Sequence, residues 1–160
     1  MATNCCQRVE VGLMWGFQLW VNLPGAEKMK EPRYQDIDAR EIPEIRTENG
    51  TLVRVIAGTA LGTEGAVRGV AVKPLYLDIS IPAGEHFEQV ITADHHAFVY
   101  VFEGSTEFGH NQTETIARGE LGVLSPGNVI QASNKGDGPA RFLLVTGNRS
   151  VNRSSSMARS

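Results

Sequence analysis

A chain of 160 residues with 41% hydrophobic residues can bury one core, so a single domain is expected. Its formal net charge of -3 offers no basic surface that would hold nucleic acid by counterion release, and nucleic acid is therefore not expected as a direct partner. No apolar run approaches the length of a membrane span, and the N-terminus lacks a basic segment followed by an apolar core, so the expectation is a soluble intracellular protein with no membrane role.

In chain order, residues 1–15 are polar and without a clear period, and are expected to be a loosely ordered lead-in. They hold the only two cysteines, Cys5 and Cys6, which as neighbours make poor disulfide partners and read as incidental thiols. In an intracellular protein the sequons at Asn49, Asn111, Asn148 and Asn152 are chance matches. Phe17, Leu19 and Val21 alternate with Gln18 and Asn22, which predicts a first strand ended by Leu23-Pro24-Gly25. Residues 26–48 are highly charged and broken by Pro32 and Pro43, which predicts an extended arm anchored by Tyr34, Ile37, Ile42 and Ile45. Thr51 to Ala57 is β-branched and alternating, a second strand, and Gly58 to Gly69 reads as a loop.

The stretch from Leu75 to Gly109 is the centre of the pattern. Leu75, Leu77, Ile79 and Ile81 recur at every second position, the period of a half-buried strand, and Pro82-Ala83-Gly84 stops it. A histidine-bearing loop follows, then the nearly continuous apolar run Ala97 to Phe102, a strand covered on both faces, closed by a Gly-bounded turn. Any chemistry is expected between these two strands. Thr113 to Ala117 and Leu121 to Leu124 read as a hairpin around Arg118-Gly119-Glu120, and Val129 to Ala132 and Arg141 to Thr146 are the last strands. Short strands separated by Gly, Pro and Asn turns predict an all-β, antiparallel barrel or sandwich. Residues 148–160 are Ser- and Arg-rich; Arg149, Arg153 and Arg159 give this tail +3 and leave -6 on the rest, and it is expected to be disordered.

Gly16-Phe17-Gln18-Leu19-Trp20-Val21-Asn22-Leu23-Pro24, then Pro32-Arg33-Tyr34-Gln35, Val53 to Gly58 and Ala97 to Gly104 together resemble the pirin family of the cupin superfamily. The resemblance runs from residue 16 to 147 and corresponds to the linker and C-terminal lobe of a two-lobed protein. It implies a single cupin-type antiparallel β-barrel, jelly-roll-like, with an extended N-terminal arm. It also implies a chain without the N-terminal lobe, whose histidines and glutamate hold the family's metal, usually iron. Pirins are linked to transcription-factor regulation in the nucleus and, in some members, to quercetin dioxygenase activity at that iron. The resemblance therefore suggests a binding or regulatory module of the cytoplasm or nucleus, with a protein partner or a second copy of itself on the face the other lobe would cover. The alternatives are a quercetin 2,3-dioxygenase-like oxygenase and a non-catalytic structural remnant.

The residues also bear on a metal site of their own. The cupin pattern has His-x-His and then Glu before the strand, and a further His after a Pro-Gly turn, because alternate residues of neighbouring strands point into one cavity. Here there is no His-x-His. His96 falls at the glutamate position and Ile130 at the distal histidine, while Asn134 keeps the pattern's register. No metal, cofactor or catalytic residue is thus expected; the alternative iron site would have to be built from His86, Glu88, His95 and His96. Adjacent His95 and His96 should point to opposite faces, and His86 with Glu88 reads as a solvated pair. His110 reads as a surface turn, and Phe98, Tyr100 and Phe102 as core packing. Gly62-Thr63-Glu64-Gly65 lacks the lysine and helix of a phosphate cradle.

Overall fold

The computed structural model describes residues 2–10, 13–23, 25, 28–70 and 73–148; the tail beyond Asn148 lies outside them. Two strands, β1 (Ala2–Glu10) and β2 (Leu13–Trp20), make an antiparallel ribbon. This corrects the loosely ordered lead-in over residues 2–10. Backbone N–H and C=O groups pair across a ribbon whatever the side-chain period, so such a strand need show no alternation in its sequence. Among the described residues the arm that follows is largely extended, with a 3₁₀ turn at Ala39–Glu41 capped by the Asp38 side chain, which accepts the Arg40 backbone N–H at 2.9 Å. The Arg40 guanidinium beside Asp38 also holds that carboxyl below its usual range.

Next come β3 (Glu44–Arg46), β4 (Leu52–Ala57), the small pair β5 (Thr59–Ala60) and β6 (Thr63–Glu64), β7 (Leu75–Ile81) and β8 (His86–Val90). The chain finishes with β9 (His95–Glu103), β10 (Ser105–Phe108), β11 (Glu114–Ala117), β12 (Leu121–Leu124), β13 (Val129–Ser133) and β14 (Ala140–Asn148). They form a six-stranded sheet ordered β12-β9-β14-β7-β4-β3 facing a four-stranded sheet ordered β11-β10-β13-β8, every pair antiparallel.

Four expectations change. The loop from Gly58 to Gly69 contains the β5–β6 pair. The histidine-bearing loop is in part a strand, β8, which leaves the six-stranded sheet to pair with β13 in the other. The Gly-bounded turn contains β10; Gly104 (φ 67) lies so close to Pro139 that a Cβ would stand 2.8 Å from its carbonyl oxygen, which is why glycine is needed there. The hairpin at Arg118-Gly119-Glu120 is not a hairpin: β11 pairs with β10 and β12 with β9, so the turn carries the chain from one sheet to the other. A tight turn looks the same in sequence whether or not its flanking strands pair.

The sheets enclose a core of Val53, Val55, Leu77, Ile79, Ile81, Phe87, Val99, Val101, Phe108, Ile116, Ile130, Phe142 and Leu144, with Phe108 and Phe142 edge to face at 5.1 Å. Behind the larger sheet a second cluster of Ile56, Tyr76, Phe102, Leu143 and Val145 is covered by Phe17 and Leu19 of β2 and by Ile37 and Ile42 of the arm. β9 therefore carries apolar residues on both faces, as its continuous run predicts, and β14 does the same. Ile45 packs on the first core, but Tyr34 is 86% exposed and anchors nothing.

Asn134 ties the end of β7 to the turn before β14. Its amide donates to the carbonyls of Ile81 (3.0 Å) and Gly138 (2.8 Å), and its Oδ1 accepts from the Gly136 N–H at 3.0 Å. It is 1% exposed, so Asn134→Ala removes the bond to the carbonyl of buried Ile81 and the two bonds that hold the exposed turn at Gly136 and Gly138. The expected cost is about 2–3 kcal/mol in urea unfolding; a loss within error of zero would contradict this role. Among the described residues no helix is long and apolar enough to cross a membrane.

Candidate functional site

Strand parity decides which side chains reach the barrel interior. On β8, Phe87 and Gln89 are buried while His86, Glu88 and Val90 are exposed. On β9, Ala97, Val99 and Val101 join the interior core while Phe98, Tyr100 and Phe102 join the outer cluster. His95 shares the inward parity and His96 the outward. His95 is half-buried, its Nδ1 3.1 Å from Oγ1 of the buried Thr146 on β14, and His96 is exposed. The two neighbours do point to opposite faces, and the glutamate position of the cupin pattern moves from His96 to His95. Sequence cannot settle that parity because both faces of β9 are apolar.

The other candidates do not converge with His95. Glu88 accepts from the Gln131 amide at 2.8 Å on the outer face of the smaller sheet, and the His86 carbonyl accepts from Asn49 at 2.7 Å. His86 also stands at the far end of β8 from the turn leading to His95, about 13 Å along the strand at ~3.3 Å per residue. His110 is exposed in its turn. Among the described residues no three His, Cys, Asp or Glu side chains are placed to hold a metal ion.

The inward positions that match the cupin pattern are Gln89, Ile91, His95 and Ile130. Gln89 faces Ile130 directly across β8 and β13, and Ile91 and Ile130 are both in the core. One imidazole, one amide and two hydrocarbon side chains do not make an iron site: the ion needs several imidazole or carboxylate donors, and isoleucine gives it none. The residues present thus do not fit the metal of the family. Gln89 donates to the Val90 carbonyl at 2.7 Å, but its buried Oε1 has no partner among the described residues.

Two clefts open on either side of this centre. One, of about 610 Å³, runs along the seam where β11 and β12 part, over Phe108, Ile116, Leu124 and Ile130. Gly122 lines it because any Cβ there would stand 2.2 Å from Ile116 Cδ1. The other, of about 630 Å³, lies between the β4–β7 connection and the β8–β9 turn. Its floor carries His95 and Thr146, its walls Ala57, Val67, Leu75 and Ile91, and its rim Glu64, Arg68 and Lys73. No local sequence pattern announces it, since its polar groups come from separate segments of the chain.

Comparison with known proteins gives the geometry a context. The family model of the pirin C-terminal cupin domain matches residues 76–151. A pirin-like protein of Caulobacter vibrioides is 39% identical over 138 residues, 85% of this chain and 48% of that protein. Human pirin is 35% identical over 133 residues, 82% of this chain and 45% of its own. The crystal structure of a quercetin 2,3-dioxygenase from Acinetobacter baumannii is similar with a TM-score of 0.74 and 31% identity, over 82% of this chain and 44% of that one. The two-sheet barrel is therefore a cupin-type barrel, and the chain spans about half the length of the curated relatives it matches.

Proposed function

The chain belongs to the pirin family, and from that premise we propose that it is a metal-free cupin lobe acting as a binding or regulatory module, not an independent oxygenase. The observation that carries this reading is the donor set at the barrel centre, where Ile91 and Ile130 occupy two of the four inward positions. Hydrocarbon there disfavours a retained ionic charge. The partner is a protein, of the transcription-regulating kind to which the family is linked, or a second copy of this chain, met inside the cell. Support for a docking role comes from the outer face of the larger sheet. Val123 (76% exposed) and Leu121 (58%) stand beside the half-buried Phe98 and Tyr100, with Trp20 exposed on β2.

The second reading, a quercetin 2,3-dioxygenase-like enzyme, draws on the likeness to the Acinetobacter baumannii structure of that name. One preparation, purified without chelator, tests both. Elemental analysis is expected to give iron, copper and zinc far below stoichiometric, unchanged in His86→Ala and His96→Ala, with no quercetin turnover, and light scattering is expected to give a dimer at micromolar concentration. Near-stoichiometric iron lost in either variant would put the oxygenase first, and a monomer would remove the homodimer.

A further inference from the structure

We propose that the cleft between the β4–β7 connection and the β8–β9 turn binds a small organic anion, a carboxylate carried on a compact apolar body. The inference goes beyond the binding-module reading and depends on no protein partner. The cleft, about 630 Å³, falls within the ~300–1,000 Å³ of ordinary small-molecule sites. Its walls, Ala57, Val67, Leu75 and Ile91, are hydrocarbon suited to an aryl or branched aliphatic body.

The charge around the cleft is positive. Arg68 and Lys73 stand on the rim, and the Arg33 guanidinium packs so closely on Gly69, another cleft residue, that a Cβ there would lie 2.5 Å from Nη1. Among the lining residues Glu64 is paired to Arg68 at 3.2 Å, which leaves a formal +1 on Lys73; Arg33 beside Gly69 adds to it, and exposed Asp94 of the β8–β9 turn lies outside the lining. Arg68 is thereby largely spoken for. Lys73 makes no ion pair among the described residues, and its backbone sits in the left-handed region (φ 42), where a non-glycine residue is uncommon. The connection holds this cation at the rim in a conformation its own preferences do not favour.

A ring donor lies on the floor. Thr146 is 2% exposed, and its hydroxyl is 3.1 Å from His95 Nδ1. The tautomer that leaves no buried hydroxyl hydrogen unpaired has Thr146 donating to Nδ1 and the imidazole proton on Nε2. Nε2–H is then the remaining polar group of the ring, and a carboxylate in the cleft can accept from it while Lys73 offsets its charge. Thr59 and Thr92 add hydroxyls at the edge. A cationic rim, a fixed donor below and apolar walls between them select an amphipathic anion over either a neutral apolar molecule or a fully hydrated inorganic one.

The test is a titration of the full chain with sodium benzoate at constant ionic strength, followed by amide NMR shifts, with benzyl alcohol and inorganic phosphate as matched probes. Benzoate is expected to saturate, to shift the amides of Gly58, Gly69, Thr92 and His95, and to leave Leu121 and Val123 unmoved. The alcohol and phosphate should each bind at least about fivefold more weakly, and Lys73→Asn and His95→Ala should each weaken benzoate about fivefold. Asparagine is chosen at position 73 because it tolerates the left-handed backbone while removing the charge, so this variant keeps the fold even if His95→Ala does not. Unsaturable shifts, shifts centred on the outer face, equal binding of the alcohol or phosphate, or unchanged benzoate affinity in Lys73→Asn would each overturn the proposal.

Discussion

Asp78→Ala is expected to remove about 3–5 kcal/mol of stability, the cost of breaking a buried ion pair from one side. Asp78 lies in the middle of β7, with its side chain 1% exposed on the outer face of the larger sheet. The Arg141 guanidinium of β14 grips it at both carboxylate oxygens, with Nε to Oδ1 at 2.8 Å, and Arg54 of β4 approaches Oδ2 at 3.5 Å. One carboxylate therefore staples three adjacent strands. Arg54 would keep Glu44 at 2.9 Å after the substitution, but Arg141, only 15% exposed and stacked over Phe102 at 5.0 Å, would lose the carboxylate that balances its charge. Because whole domains are stable by only about 5–15 kcal/mol, the urea midpoint should fall by a large fraction. The double variant Asp78→Ala/Arg141→Ala should recover part of the loss, since it removes the guanidinium along with the carboxylate it grips. A single variant within about 1 kcal/mol of the parent would show that this pair is not what holds β4, β7 and β14 together.

What could be read in advance follows from how each element shows itself. β7 announces itself by four apolar residues at a spacing of two, and β9 and β14 by nearly unbroken apolar runs, because these strands form the middle of the larger sheet. β8 is hidden because its outward half is polar, His86 and Glu88, and it follows Pro-Ala-Gly, so that its two buried residues Phe87 and Gln89 are too few to make a period. β10 is hidden between Gly104 and Gly109, which look like the ends of a turn. β1 shows no pattern because a ribbon is held by backbone bonds that sequence does not display. Tyr34 reads as an anchor by residue type alone, and nothing local distinguishes it from Ile37, which is packed. The loss of donors at the barrel centre is legible at Ile130, through the fixed spacing to Asn134. The inward role of His95 needs the parity of β9, and the positive cleft needs the folded chain to bring Arg33, Arg68, Lys73 and His95 to one place.

Converting all four inward positions, Gln89→His, Ile91→His, His95→Glu and Ile130→His, is expected to make the fold depend on a divalent metal. Gln89 and Ile130 are direct partners across β8 and β13, Ile91 is two residues beyond Gln89 on the same side, and His95 faces inward from the opposite sheet. The replacements restore the donor types of the cupin pattern at inward positions, two of which, Ile91 and Ile130, already lie in the core. Without metal, each buried donor lacking a partner costs about 1–3 kcal/mol, so four together approach the whole stability of a domain. The apo variant should melt far below the parent or not fold cooperatively. Adding cobalt(II) should restore cooperative unfolding, because binding energy at such a site becomes folding energy, and should bring visible d–d absorption from imidazole ligation. Ile130→His alone should do neither, since Ile91 would still present hydrocarbon and Gln89 a neutral amide. The account fails if the fourfold variant melts at the same temperature with and without cobalt, or if Ile130→His by itself holds near-stoichiometric metal, for then the centre of the barrel is not where these four positions place it.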